Sequence, residues 1–292
     1  MSRGALAAFV SALCALPIAL LLLLSLAARW PYPEIWPAEI RLDPWRELLD
    51  FQNGGLSQTL GISLLLSSLV ALVSTAIAYL AAKRIAAHPA RSRLVLLAYA
   101  PYVMSPVVLG VCILYLYLRL GLAGTFPGVA LAQTIFGASF GVVFFLGFWS
   151  EEKRALEDLV RTLGGSTWQL YARVLLPISR GPLALCAFQT FLISWFQYGL
   201  TVLIGGGAVR TLPMKVFDYV NEANLSYAAL ASLLLVLPPL LLLWVNKRLF
   251  FGVPAGPFEP RRRLAAPEAR TRRSRAGSNG PAGTHGSAEA RT

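Results

Sequence analysis

Residues 59–82 read TLGISLLLSSLVALVSTAIAYLAA and contain no Asp, Glu, Lys or Arg. A helix needs about 20 mostly apolar residues to cross a bilayer, so this stretch predicts a transmembrane helix. The whole chain has the same character, because only 14% of its 292 residues are charged and its mean hydropathy is +0.61. Average soluble domains carry roughly a quarter charged residues. A soluble fold of this length would have too few charges to cover its surface.

Other stretches of similar length also lack charged residues. They are residues 5–28, 94–118, 127–149, 182–204 and 226–246. Together with residues 59–82 they predict an all-α fold, a polytopic membrane helix bundle with about six transmembrane helices. The first of them, within residues 1–28, could instead be a cleaved signal peptide because Arg3 precedes it. Its apolar run exceeds the roughly 7–15 residues usual in such peptides, which favours a retained helix.

The charges between the spans predict the orientation. Residues 83–93 carry four basic residues and no acid, and residues 150–181 carry five basic residues. Residues 29–57 carry three basic residues against five acids. Basic loops stay on the cytoplasmic side, so residues 29–57 are predicted to form an external loop and both termini to lie in the cytoplasm.

The basic C-terminal segment, residues 249–292, is predicted to be a disordered cytoplasmic tail. Residues 248–292 hold nine Arg and three Glu, which is half of the net charge of +12. The segment is rich in Pro, Gly, Ser and Ala, a composition that cannot form a packed core. Because most other basic residues lie in short loops between apolar runs, the net charge indicates membrane topology and not nucleic-acid binding.

The sequence contains no evident catalytic, metal-binding or nucleotide-binding motif. The three cysteines lie far apart without metal-ligand spacing, and we find no paired carboxylates and no Ser–His arrangement. The chain also lacks a G-x-x-x-x-G-K-[ST] phosphate loop. We therefore expect no catalytic residue, no metal site and no cofactor in this chain.

Residues 150–181, between two predicted spans, have the pattern of an amphipathic elbow. Apolar residues at 156, 159, 160 and 163 follow the spacing of a surface helix. Gly164-Gly165 is typical of a helix end, and Ser166 with Gln169 predicts a capping box that begins a second short helix. We expect Pro177 to end that helix. Four acids accompany the basic residues, which favours a protein partner over anionic lipid as the surface that the elbow meets.

The elbow sequence resembles a known family. EDLVRTLGGSTWQ at 157–169, with VLLP at 174–177, is similar to the EAA loop of binding-protein-dependent ABC importer permeases. Five positions match its spacing: Asp158, Gly164, Val174, Leu176 and Pro177. Leu159 and Val160 stand where the family usually has two alanines, and Asp158 where it usually has Glu. The resemblance extends more loosely over residues 57–248, within a predicted permease domain of residues 58–248, and is closest in style to polyamine, ferric iron and thiamine permeases.

The resemblance implies a mechanism with several partners. In that family the elbow is a coupling helix that docks in a groove of a cytoplasmic ABC ATPase dimer, which hydrolyses the ATP. A second permease, of the same or a homologous chain, completes the pathway, and an extracytoplasmic solute-binding protein delivers the solute. Such permeases lie in the bilayer of the bacterial inner membrane. The implied ATPase-coupling residues are Glu157, Asp158, Leu159, Val160, Leu163, Gly164, Gly165, Trp168, Leu176 and Pro177.

Polar residues within the spans are candidates for the solute pathway. They are Gln133, Gln189, Gln197 and Tyr198. Each could instead be a hydrogen-bonding residue of helix packing, which is common in membrane bundles. The alternative function is an ion-driven secondary transporter. Such proteins usually keep ionisable residues within their spans, and these spans contain no Asp, Glu, Lys or Arg.

Overall fold

The structure is a computed structural model and describes residues 3–29, 39–40, 42–48 and 55–251. The predicted tail beyond residue 251 and most of the predicted external loop lie outside these residues. In chain order the elements are α1 (Arg3–Leu26), β1 (Ala27–Arg29), β2 (Glu39–Ile40), α2 (Asp43–Leu48), α3 (Leu56–Ala87), α4 (Arg91–Val103), α5 (Pro106–Arg119), α6 (Phe126–Phe148), α7 (Glu151–Thr162), α8 (Thr167–Gln169), a π-helical segment (Leu170–Leu175), α9 (Leu176–Trp195), α10 (Gly199–Gly205), α11 (Leu212–Asn221) and α12 (Leu225–Phe251).

The fold is an all-α membrane helix bundle centred on α3, which packs against α6 and α9. Small residues let these helices approach closely. A Cβ added at Gly141 of α6 would lie 2.6 Å from the Cβ of Ala78 on α3, and one added at Gly137 would lie 2.8 Å from Ser74 Oγ. Close backbone approach through Gly, Ala and Ser is the usual way in which membrane helices gain packing contacts. Near α1, the strands β1 and β2 form a short antiparallel pair.

Polar side chains recur every fourth residue along α3 and form what we name the α3 polar ridge. Its members are Thr59, Ser63, Ser67, Thr75, Tyr79 and Lys83, with Ala71 filling the remaining position. Ser63 Oγ accepts a hydrogen bond from the Leu212 amide (2.7 Å) at the start of α11. Tyr79 bonds Ser179 of α9 (2.8 Å) near the other end of α3. The ridge thus gives α3 hydrogen-bond partners along the length of the bundle.

Four described helical runs are long and apolar enough to cross a membrane: Leu56–Ala87, Phe126–Phe148, Thr167–Trp195 and Leu225–Trp244. The third predicted span, residues 94–118, is not one continuous helix. It is broken into α4 and α5, which meet at an angle of 100°. Pro106 begins α5 and Ser105 before it is extended, because a residue that precedes proline avoids the α region. Counting this bent pair as one span gives five. The predicted total of six is not confirmed, although α1 covers most of residues 5–28.

The fifth span differs from its predicted bounds of 182–204. Helical structure begins at Thr167, and Pro177 does not end it. In the π-helical segment the Leu176 amide bonds the Tyr171 carbonyl, five residues back. This wider turn relieves the contact between a proline ring and the carbonyl four residues earlier, so the helix continues. The run ends at Trp195, and α10 is a separate short helix.

Candidate coupling elbow and solute pathway

The first arm of the elbow is α7, whose sequence complements its dipole. Glu151 and Glu152 lie in the first turn and Arg161 in the last. At its end, the Gly165 amide bonds the Val160 carbonyl (2.9 Å) and the Gly164 amide bonds the Arg161 carbonyl (3.0 Å). These two bonds are those of a Schellman motif. Gly164 has φ +75°, a left-handed conformation that glycine adopts without steric cost, and this explains the sharp turn.

The second arm begins with the predicted capping box. Ser166 Oγ accepts a hydrogen bond from the backbone N–H of Gln169 (3.2 Å), and the side-chain Oε1 of Gln169 accepts one from the backbone N–H of Ser166 (2.9 Å). Both bonds satisfy donors that the helix start would otherwise leave unpaired. The arm then continues without interruption into α9. The elbow is therefore joined directly to a membrane-spanning helix, so that a displacement of the turn moves the end of that helix.

The inner side of α7 is bound to the end of α3. The Glu157 side chain is buried, and its Oε1 lies 2.9 Å from Lys83 Nζ at the end of the α3 polar ridge. Lys83 also donates to Tyr171 Oη (3.1 Å) in the second arm. The Arg154 guanidinium donates to the Ala86 carbonyl. Lys83 thus joins α3 to both arms of the elbow through one ammonium group.

The outer side of the elbow presents apolar side chains to solvent. Leu163 and Trp168 flank the glycine turn and are 79% and 78% exposed, and Leu159 is 54% exposed. Exposed apolar patches of this kind mark interaction sites in proteins. Asp158 directly precedes Leu159; it is exposed, lines a small cavity beside the end of α3, and makes no ion pair with any described residue. We name Asp158, Leu159, Leu163 and Trp168 the elbow tip.

The ten residues that the resemblance implies for coupling fall into two groups, those exposed on the elbow and those that contact other parts of this chain. Leu159, Leu163, Gly164, Trp168 and Asp158 lie at or beside the elbow tip, and Leu176 and Pro177 are exposed farther along the second arm. Glu157 and Val160 instead contact this chain, since Val160 packs against the cluster that contains Tyr79 and Trp149. A Cβ at Gly165 would meet Val160 at 2.6 Å, so this glycine allows the turn to close tightly on the end of α7.

Gln133 is the most buried of the four candidate pathway residues. Its amide nitrogen donates to Thr201 Oγ1 (2.8 Å), and its amide oxygen accepts from Ser194 Oγ (2.5 Å). Ser194 also bonds Ser67 on the α3 polar ridge (3.3 Å). Gln133 therefore holds α3, α6, α9 and α10 together through side-chain hydrogen bonds.

The other candidate pathway residues lie along one segment. Gln189 is half-buried on α9, and Gln197 and Tyr198 occupy the break between α9 and α10. The Tyr198 ring packs on Phe217 of α11, with ring centroids 4.4 Å apart. Their role in the pathway stays a prediction.

Lys83 and Tyr171 are the residues that sequence reasoning missed. A signal for Lys83 exists, because it is the first charged residue after the apolar run of α3 and continues the four-residue spacing of Thr75 and Tyr79. Nothing in the sequence indicated that Glu157 was its partner. Within the described part of the chain, no group of three or more His, Cys, Asp or Glu residues could hold a metal ion.

Comparison with known proteins places the chain in a family, although no family model matches it. It is 30% identical over 238 residues to the molybdenum transport system permease protein ModB of Mycobacterium tuberculosis, covering 73% of this chain and 87% of that protein. It is 29% identical over 155 residues to the sulfate transport system permease protein CysW of Synechocystis sp., covering 47% of this chain and 56% of CysW. The narrower resemblance to polyamine, ferric iron and thiamine permeases stays a prediction.

The fold is also that of a solved transporter. The crystal structure of a bacterial ABC transporter involved in the import of the acidic polysaccharide alginate matches with a TM-score of 0.60 at 15% identity, over 85% of this chain and 94% of that one. The matched proteins are importer permeases, which favours this function over the ion-driven alternative. The chain therefore belongs to the ABC importer permease family, as a multi-pass, non-enzymatic membrane subunit whose ATPase is a separate subunit.

Proposed function

We propose that this chain forms half of the solute pathway of an importer for a small oxyanion, and that its elbow tip docks on the ATPase. The observation that carries the docking proposal is the exposure of Leu163 and Trp168 on either side of a glycine turn. Apolar side chains at such a tip gain free energy when a groove covers them, about 1.5–3 kcal/mol for each fully buried large side chain. Asp158 beside them can pair with a basic residue of the ATPase.

Force would pass from the tip into the membrane through two connections. One is the continuous helical run from the capping box into α9. The other is Lys83, which joins Glu157 and Tyr171 to α3. Closure of an ATPase dimer would therefore displace α3 and α9 together, and a second permease bound to the other ATPase would move in the opposite sense. ATP is hydrolysed by the ATPase, and this chain needs no cofactor of its own.

The proposed topology places the elbow and both termini in the cytoplasm of a bacterium, with the chain in the inner membrane. The contact between Lys83 and Glu157 supports it, because it brings the basic loop that follows α3 to the same end of the bundle as the elbow. Two segments that the positive-inside rule assigns to the cytoplasm thus lie together. An extracytoplasmic solute-binding protein would dock at the opposite end, where α11 begins beside Ser63.

The proposed substrate is an oxyanion of the molybdate or sulfate kind. Two relatives are named for molybdenum and sulfate transport. Amide and hydroxyl groups such as those of Gln189, Gln197 and Tyr198 can donate hydrogen bonds to an oxyanion, and the predicted spans hold no acid that would repel it. Uptake of radiolabelled molybdate by cells that express the importer, with unlabelled sulfate as competitor, tests this. Uptake of a sugar and of neither anion would refute it.

Co-purification tests the docking proposal. We would solubilise native membranes gently, capture the tagged chain and identify bound proteins by mass spectrometry. A P-loop ATPase should accompany the wild type and fall about tenfold or more in a Leu163→Ala/Trp168→Ala variant, given the area these side chains would bury. Leu120→Ala is a matched control, because Leu120 is 60% exposed and follows α5, away from the elbow. Equal recovery of the ATPase with all three proteins would refute docking at the tip.

A further inference from the structure

A second feature at the elbow end of α3 is a cavity of about 810 Å³ between α3 and the elbow. It is lined by Lys83 and Arg84 of α3, by His88 directly after α3 and by Arg161 of α7. Among the described residues, the single acid in its wall is Glu157, and Lys83 already pairs with it. Asp158 lines a smaller neighbouring cavity and not this one. The cavity therefore carries a surplus of positive charge.

The surplus charge is available for a ligand. Arg84 and Arg161 are exposed, and neither guanidinium group makes a hydrogen bond or ion pair with a described residue. His88 Nδ1 accepts a hydrogen bond from the Ala90 amide (3.1 Å), which leaves its Nε2–H as a further donor. Two guanidinium groups and an imidazole N–H are the donors that proteins use to bind phosphate.

An apolar surface leads to this cavity along α3. Exposed apolar side chains recur at three- and four-residue intervals and form one stripe: Leu65, Leu69, Val73, Ile77 and Leu80. Leu80 also lines the cavity, and Arg84 follows it by four residues on the same face of the helix. The stripe thus runs along the membrane-spanning length of α3 and ends at the basic residues.

This order of groups matches a phospholipid. We propose that the cavity binds the phosphate head group of an anionic phospholipid, whose acyl chains lie along the stripe on α3. Basic pockets between helices on the cytoplasmic side are suited to anionic head groups. An acidic segment of the ATPase would satisfy the charges but would leave the apolar approach through the bilayer unexplained. Because Arg84 belongs to α3 and Arg161 to α7, one bound phosphate would bridge the span and the elbow.

Native mass spectrometry of the purified full chain tests the proposal. The chain is mixed with detergent-dispersed phosphatidylglycerol or with zwitterionic phosphatidylcholine, and retained lipid is titrated. Each basic residue beside an anionic lipid surface contributes about fivefold in affinity, so an Arg84→Gln/Arg161→Gln variant should bind phosphatidylglycerol about 25-fold more weakly. Binding of phosphatidylcholine should not change. Arg93→Gln is the matched control, because Arg93 is exposed in the first turn of α4 but does not line the cavity.

Several results would overturn the proposal. One is unchanged retention of phosphatidylglycerol in the double variant, and another is an equal loss in Arg93→Gln, which would indicate nonspecific charge attraction. Displacement of phosphatidylglycerol by millimolar inorganic phosphate would identify the ligand as a free anion. If the double variant kept its lipid but lost the co-purifying ATPase, the cavity would be part of the ATPase interface. Unaltered thermal unfolding in detergent shows that the variants are folded.

Discussion

The ion pair between Lys83 and Glu157 provides the sharpest test of how the elbow is held. Lys83→Met removes the ammonium group that lies 2.9 Å from Glu157 and 3.1 Å from Tyr171, and it leaves the carboxylate without a partner. Breaking a buried ion pair costs about 3–5 kcal/mol. The two side chains retain 19% and 11% exposure, so water compensates in part, and we expect about 2 kcal/mol. The bond from Arg154 to the Ala86 carbonyl remains and keeps α7 attached.

Hydrogen exchange measured by mass spectrometry reports this loss directly. A decrease of about 2 kcal/mol in the free energy of local opening accelerates exchange of the α7 amides about thirtyfold. The double variant Lys83→Met/Glu157→Gln should recover part of the protection, because it removes the unpaired carboxylate together with its partner. Asp158→Asn is the matched control and should leave exchange unchanged, since Asp158 is exposed and makes no ion pair with a described residue. Equal acceleration in Lys83→Met and Asp158→Asn would refute the anchoring role of Lys83.

Other predictions follow from the same structure. Gly164→Ala should destabilise the elbow turn by about 1–2 kcal/mol because φ at this position is +75°, and Gly164→Asn should destabilise it by less. Hydrogen exchange of the α7 C-terminal amides measures both effects, and equal effects would count against backbone strain as the cause. Gly141→Val should lower the unfolding temperature in detergent, because a Cβ there meets Ala78 at 2.6 Å, whereas Gly147→Val, in open space, should have little effect. Deletion of residues 256–292 should leave transport intact, and a dead importer would contradict the prediction of a disordered tail.

Local sequence signals predicted the elbow well. The Schellman motif at Gly164-Gly165 and the capping box of Ser166 with Gln169 depend on residues within one or two turns, so their pattern is sufficient to place them. The same holds for the spans α3, α6 and α12, whose long apolar runs coincide with helices. The spacing that resembles the EAA loop then led to the family that the comparisons show.

Features that depend on the packing of helices across the bundle could not be predicted from local sequence patterns. Hydropathy is continuous through residues 94–118, and although Pro106 marks the break, no local signal gives the 100° angle between α4 and α5. The π-helical segment allows Pro177 to stay within a helix, which a rule for proline in ordinary α-helices misses. The pair of Lys83 with Glu157 joins positions 74 residues apart, and only packing brings them together.

The central claim is that the elbow tip contacts the ATPase, and photocrosslinking from the tip tests it most directly. A photoreactive amino acid would replace Leu163, which is 79% exposed, in cells that contain the whole importer. The same substitution at Leu120, 60% exposed at the far end of α5, is the control. The account predicts a crosslink from position 163 to a P-loop ATPase and none from position 120. A crosslink from position 163 only to lipid or to another permease would contradict it.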